Sequence, residues 1–381
     1  MDFLAIVQAN LLTPIVLFFI LGIVAARVKS DLRIPDAISS MLPVYLLAAI
    51  GLHGGIEMRR TGFEAMALPM AAAIALSLSM TLYHYQILRR LGKFNIFDSY
   101  ALASTYGAVG AVTFSVGLSF LRNQNIESEG YMAAILAVLE PLSFILSIFL
   151  VNSAVAKSIQ KKESQAFPDM GKTSADSHKT EVTEFVGNAQ HRSSMAAEST
   201  EAPAAKSSMR AILHETLAGK SIVILLGSIV IGYVIGEQGF SSIAILFDEL
   251  FFGALVIFLL EMGVVAGHRL GDIRKVGPFL VIFALVIPTV NGIIGVTIST
   301  YLGLSIGGAV MFGTLMASAS FIAAPAIFRT AIPKANPSLY ITSALGITFP
   351  YIVIGLLPVL LILSTALHGA AGTTALFGEL S

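Results

Sequence analysis

Long apolar runs dominate the chain, and short polar stretches separate them at intervals that suit a membrane better than a soluble core. Crossing a hydrocarbon layer about 30 Å thick takes about 20 mostly apolar residues in a helix. Runs of that kind fall near 11–28, 34–56, 63–88, 98–121 and 131–155, and again near 217–236, 240–266, 277–303, 306–328 and 338–367. The pattern predicts an all-α integral membrane protein of about ten transmembrane helices, with 240–266 able to split into two half-helices. The first run, Leu11 to Ala26, is preceded by Asp2 and by no Lys or Arg, so it lacks the basic leader of a signal peptide and reads as the first span.

Between the two sets of five runs, residues 156–212 change character. Lys157, Lys161, Lys162, Glu163, Asp169, Lys172, Asp176, Lys179, Glu181 and Glu184 crowd a Ser-, Ala- and Thr-rich stretch with few large apolar groups. Such a segment buries too little surface to offset its ordering entropy, so a disordered linker is expected there, with an amphipathic turn near Phe185. The chain then divides into a first five-helix repeat at 1–155, the linker at 156–212, and a second repeat at 213–381.

Lys and Arg gather on the cytoplasmic side of membrane proteins. One set of connections holds Arg27, Lys29, Arg33, Arg89, Arg90, Lys93, Lys157, Lys161, Lys162, Arg269, Arg274, Lys275, Arg329 and Lys334; the other holds little beyond Arg59, Arg60 and Arg122. This puts the linker in the cytoplasm and both termini outside. Five spans, a cytoplasmic linker and five more spans invert the second half relative to the first, a footprint of inverted-repeat transporters. Local matches agree: Thr113-Phe114 precedes Arg122 as Ser320-Phe321 precedes Arg329, Tyr131 and Pro141 pair with Tyr340 and Pro350, and Gly51-x3-Gly55 pairs with Gly263-x3-Gly267.

Composition then removes function classes. The 381 residues are 56% hydrophobic and 12% charged, with mean hydropathy +0.83 and zero net charge. The charge fraction is about half that of an average soluble domain, and zero net charge gives no field to attract nucleic acid. The absence of cysteine removes thiol catalysis and thiolate metal sites. The sequence contains no H-E-x-x-H, G-x-S-x-G, P-loop or G-x-G-x-x-G with an acidic partner, and its seven His show no metal-ligand spacing, so no enzyme is expected.

Candidate chemistry lies in the fourth and ninth spans. Tyr106-Gly107-Ala108-Val109-Gly110-Ala111-Val112-Thr113 and Ala317-Ser318-Ala319-Ser320-Phe321-Ile322-Ala323-Ala324-Pro325 both weaken a helix at membrane depth. A broken helix in lipid is tolerated where it lines a cavity or packs on protein, and its exposed N–H groups can hold an anion. Gly107, Ala108, Gly110, Thr113, Ser318, Ala319, Ser320 and Phe321 are therefore the candidate substrate-binding residues; close helix packing through small side chains is the alternative. Ionisable groups inside spans are costly and often functional. Glu140, before Pro141, is the candidate for the coupling ion or proton, with Thr113, Ser318 and Ser320 as further oxygen donors. Glu261 fits a structural partner at the membrane edge equally well, Asn291 follows Pro288, Asp248 and Glu249 fall near an interface, and His53 and His84 read as interfacial groups.

Several stretches resemble the cyanobacterial sodium-dependent bicarbonate transporter family: Ile34-Pro35-Asp36-Ala37-Ile38-Ser39, Ile50-Gly51-Leu52-His53-Gly54-Gly55, Tyr106-Gly107-Ala108-Val109, Arg274-Lys275-Val276, and above all Ile332-Pro333-Lys334-Ala335-Asn336-Pro337-Ser338 with Tyr340-Ile341. They occur in order over nearly the whole chain outside the linker. The resemblance implies ten spans in two inverted five-helix repeats, a core and a gate domain that slide as an elevator, a homotrimer in the plasma (inner) membrane, and a PII-like regulator on the cytoplasmic side. It also implies bicarbonate and sodium sites where spans four and nine cross. The chain departs from the family there. Gly110-Ala111-Val112-Thr113 replaces a Ser-Gly-Ser-Thr run, and Ser318-Ala319-Ser320-Phe321 replaces a triple Ser followed by Asp. A phenyl ring cannot ligate a hard cation. The family's acidic residue in the fifth span has its counterpart in Glu140.

The function expected is that of a secondary active transporter, an ion-coupled symporter for bicarbonate or another small anion, with no cofactor beyond a coupling sodium or proton and no partner beyond lipid, solute, sister subunits and the regulator. The alternatives are a proton-coupled carrier of a different small solute and a non-transporting receptor or degenerate paralogue. A channel would need a continuous polar lining, which these spans lack.

Overall fold

The computed structural model describes residues 3–166 and 219–378. Among them the secondary structure is entirely helical. The helices are α1 (Phe3–Leu11), α2 (Pro14–Arg27), α3 (Asp36–Thr61), α4 (Phe63–Arg90), α5 (Ile96–Gly107), α6 (Ala111–Asn123), α7 (Met132–Ala166), α8 (Lys220–Ser241), α9 (Phe251–Arg269), α10 (Ile273–Val276), α11 (Pro278–Tyr301), α12 (Ile306–Ala317) and α13 (Ala323–Ala331). The last span, Pro337–Ala370, carries two π-turns, Ala344–Thr348 and Ile352–Leu356. Eight stretches of the described residues are long and apolar enough to cross a membrane, and α2 and α12 are shorter apolar helices. The chain is thus a multi-pass helical membrane protein.

The expected linker begins later than its composition suggests. Helix α7 continues through Lys157 and Lys161 to Ala166, so the first part of 156–212 is helical. The rest of that segment, with the turn expected at Phe185, lies outside the described residues. Span 240–266 does not divide into two half-helices: a five-residue π-turn at Ile245–Glu249 leads into the 19-residue α9, and Ile245–Asp272 is one stretch long and apolar enough to cross a membrane.

Helices α2, α3, α8 and α9 form a panel in which α3 packs on α8 and α9 on α2. Both Gly-x3-Gly motifs build its seams. A Cβ on Gly51 would sit 2.7 Å from the Leu225 carbonyl oxygen, and one on Gly55 would collide with that of Ile229. On the other seam, a Cβ on Gly263 would collide with the Phe19 carbonyl, and one on Gly267 would lie 2.9 Å from that of Ile23. Between lipid-embedded helices there is little hydrophobic drive, so close backbone approach through small residues supplies the contact energy.

The remaining long helices form a second bundle, in which α4 packs on α5 and α7, and α11 on α12 and the last span. It is entered twice through the same turn. Gly62, before α4, has φ 79° and ψ 164°, and Gly277, before α11, has φ 80° and ψ 158°. Side chains other than glycine rarely adopt this conformation. Helix α12 is buried along its whole length from Gly307 to Ala317, and α5 is buried from Asp98 to Gly107. Helix α12 is apolar nearly all round, as a helix inside a bundle can be, and the buried polar groups of α5, Asp98, Ser104 and Thr105, find hydrogen-bond partners within the protein.

Candidate functional site

Two spans break inside this second bundle. Helices α5 and α12 are each 12 residues long, and each begins with a side-chain cap. Asn95 accepts from the Asp98 N–H at 2.9 Å, and Ser305 from the Gly308 N–H at 3.0 Å. After Gly107 and Ala317 the backbone turns extended: Ala108 has φ −85° and ψ 149°, and Ser318 has φ −72° and ψ 165°. The chain then re-enters helix at Ala111 and at Ala323. With Ile96 matched to Ile306, Ser320 in the second break stands level with Gly110 in the first, and not with Thr113 as the Thr-Phe and Ser-Phe match suggests.

The extended segments cross and bond. The Ser320 N–H donates to the Thr105 carbonyl at 2.9 Å, and the Gly110 N–H donates to Ser318 Oγ at 2.9 Å. Ser318 in turn donates to the Leu315 carbonyl at 2.7 Å. The carbonyl freed at the end of α5 is met by Ser77, which donates to Gly107 at 2.9 Å within a buried hydroxyl cluster that includes Thr81 and Ser143. A Cβ on Gly107 would collide with Thr81 Oγ1, so glycine is required there by space. These bonds replace water that the membrane interior lacks.

Gly110, Glu140, Ser320 and Phe321 line one cavity with Pro43, Leu46, Leu47 and Ile50 of α3 and Phe258 of α9, between panel and bundle. It is narrow, with about 20 Å³ open to the centres of water-sized molecules, and a single water needs about 10–15 Å³ by that measure. Gly107, Ala108, Thr113, Ser318 and Ala319 are buried behind this surface and shape the crossing without lining it. Thr113 Oγ1 is buried without a hydrogen-bond partner.

Glu140 is 4% exposed, and its Oε2 is buried with no hydrogen-bond partner. An ionised carboxyl in such a place costs on the order of several kcal/mol unless a proton or a cation neutralises it. At the same cavity α6 starts without a side-chain cap, and its first intrahelical bond is from Phe114 to Gly110. The start of α6, with the N–H groups of its first turn and the positive end of its dipole, thus lines the same cavity as the carboxyl of Glu140, and Ser115, Ser221 and Ser320 are its hydroxyls. Phe321 closes the wall and stacks edge-on with Phe349 at 5.1 Å, which meets Phe19 of the panel at 5.4 Å.

Of the other ionisable groups, His84 departs from its expected place. His84 is fully buried, not interfacial: its Nε2 faces Asn291 Nδ2 at 3.3 Å, and Tyr83 donates to Asn291 Oδ1. Glu261 accepts from Ser39, which ties α9 to α3. His53 lines a second, wider space of about 420 Å³ with Glu57, Arg60, Arg122 and Glu129, and Ile50 is shared with the crossing cavity. Asp248 pairs with Arg122 at 3.2 Å and lies 3.6 Å from His53. Asp98 accepts from the Asn336 N–H at 2.7 Å, which explains part of the Ile332–Ser338 motif. Sequence reasoning missed the panel side of the cavity altogether; Pro43, inside an otherwise apolar run, was its one visible mark.

A family model described as the Na+-dependent bicarbonate transporter superfamily matches residues 14–365. The chain belongs to this superfamily. The match spans both halves, the panel and both breaks, so the family relationship extends to the whole architecture around the crossing. Membership makes the chain a transporter rather than an enzyme. A search of curated proteins finds no match.

Proposed function

We propose that the chain is an ion-coupled symporter that binds a small anion at the crossing of its two broken spans, with Glu140 as the coupling group. The observation that carries this reading is the unpartnered carboxyl of Glu140 beside the uncapped start of α6. An anion can rest on those N–H groups only when Glu140 is neutralised, so solute and cation enter together. Bicarbonate and sodium are the pair suggested by the superfamily's name; with Phe321 in the wall, a proton on Glu140 is the coupling ion we favour.

The wider reading follows the same lines. Two five-helix repeats of opposite orientation are supported by the paired glycine seams, the paired Gly62 and Gly277 turns and the equal half-helices. The panel serves as gate and the second bundle as a core that slides against it. We place both termini outside the plasma (inner) membrane and the polar linker in the cytoplasm as the docking site of a regulator, with three copies assembling into a trimer.

A receptor that binds without transporting has one observation in its favour: the Phe321–Phe349–Phe19 contacts link core to gate and oppose sliding. The deciding experiment is uptake of labelled bicarbonate and other small anions by proteoliposomes of the full chain, under a sodium or a pH gradient. Gradient-driven uptake is expected. Binding without flux would establish the receptor, and neither binding nor flux of any anion would remove the reading.

A further inference from the structure

The crossing cavity has two chemically different sides. One side offers the first turn of α6, from Gly110 to Val112, together with Ser320 and the carboxyl of Glu140. The rest of the lining is mostly apolar, with Leu46, Leu47, Ile50, Phe258 and Phe321, and Ser115 and Ser221 as its further hydroxyls. A ligand that satisfies both has a compact anionic head and an apolar end. The head rests on the N–H groups at the start of α6, which no side chain caps, that of Gly110 being already taken by Ser318 Oγ. Glu140 is 4% exposed with an unpartnered Oε2, and in its acid form it donates its O–H to the same head.

We infer that the solute taken by this site is a short-chain monocarboxylate of two or three carbons, held by its carboxylate at the start of α6 with its alkyl end on the Leu46–Phe321 wall. The inference rests on the reading of the crossing as an anion site. Acetate and bicarbonate share one heavy-atom skeleton and differ in a methyl in place of a hydroxyl. The methyl group of acetate is at home on the aliphatic and aromatic wall, whereas the hydroxyl of bicarbonate must turn away from it to reach one of the few lining hydroxyls, Ser115, Ser221 or Ser320. The narrowness of the cavity, about 20 Å³ for water-sized centres, sets the upper limit on chain length.

The test is equilibrium binding of [14C]acetate to the detergent-purified full chain, with acetate, propionate, hexanoate, bicarbonate and nitrate as competitors. Binding is read in place of flux because undissociated short acids cross lipid by themselves. Acetate and propionate are expected to displace label at concentrations about tenfold or more below those for bicarbonate, in keeping with what one apolar group is worth in a hydrophobic pocket; hexanoate is expected to compete poorly. Phe321→Asp is expected to narrow or reverse the preference, and the wild-type series decides the question by itself if that variant does not fold. Bicarbonate equal to or tighter than acetate, with its binding lost in Glu140→Gln, would overturn the monocarboxylate assignment and leave the anion site standing. No binding of any of the five anions would overturn both.

Discussion

The amide of Ser320 is hydrogen-bonded to the carbonyl of Thr105 at 2.9 Å, so the two broken spans hold each other directly. The reciprocal tie runs from Gly110 to the hydroxyl of Ser318. Ser318→Ala removes that acceptor and leaves a buried N–H unpaired, at a cost of about 1–3 kcal/mol. A lower melting temperature in detergent is expected. Ser299→Ala is the control: its hydroxyl bonds only carbonyls of its own helix, at Gly295 and Val296, and little change should follow. Equal effects of the two would deny the tie any special weight.

Glu140→Gln keeps the size of the side chain and removes its titration. Anion uptake driven by an ion gradient is expected to fall at least tenfold, while size-exclusion profile and melting temperature stay at wild-type values. Wild-type uptake would reassign this carboxyl to structure.

The glycine seams predict opposite outcomes for one substitution. Gly55→Ala forces a methyl into the Ile229 carbonyl of α8 and is expected to destabilise the panel by about 1–3 kcal/mol. Gly227→Ala, on α8 with nothing within 4 Å of the new Cβ, should stabilise by about 0.5–1 kcal/mol through helix propensity alone. Thermal melts of the two variants in one detergent measure the contrast.

Asp98→Ala deprives the Asn336 N–H of its acceptor and α5 of a negative charge in its first turn. A loss of about 1–3 kcal/mol is expected. Asp98→Asn, which retains an acceptor oxygen, should cost less, and the order of the two melting temperatures checks it.

The eight long spans and both breaks were legible because lipid imposes length and because Gly107 and Gly110 weaken the first broken helix, while Pro325 marks the first turn of the helix that follows the second break. What faces what was not. Leu46, Leu47 and Phe258 look like lipid-facing residues in sequence, since a helix that is apolar all round gives no sign of which side meets a cavity. His84 was misplaced for a related reason. It lies close to Arg89 and Arg90 in the sequence, yet one and a half turns of helix carry it about 8 Å deeper, where Asn291 of a distant span receives it. The Gly62 and Gly277 turns escaped notice because a lone glycine before a span has no signature until its φ is known.

The two seams of the panel join backbone to backbone, with glycine leaving no slack for adjustment. Across the boundary with the other bundle, by contrast, Leu46, Leu47, Ile50 and Val112 offer rounded aliphatic flanks. The panel is therefore a stiff frame with a smooth aliphatic face beside it. Any travel of one block past the other will follow that smooth plane, and its hardest moment will be the parting of Phe349 from Phe19.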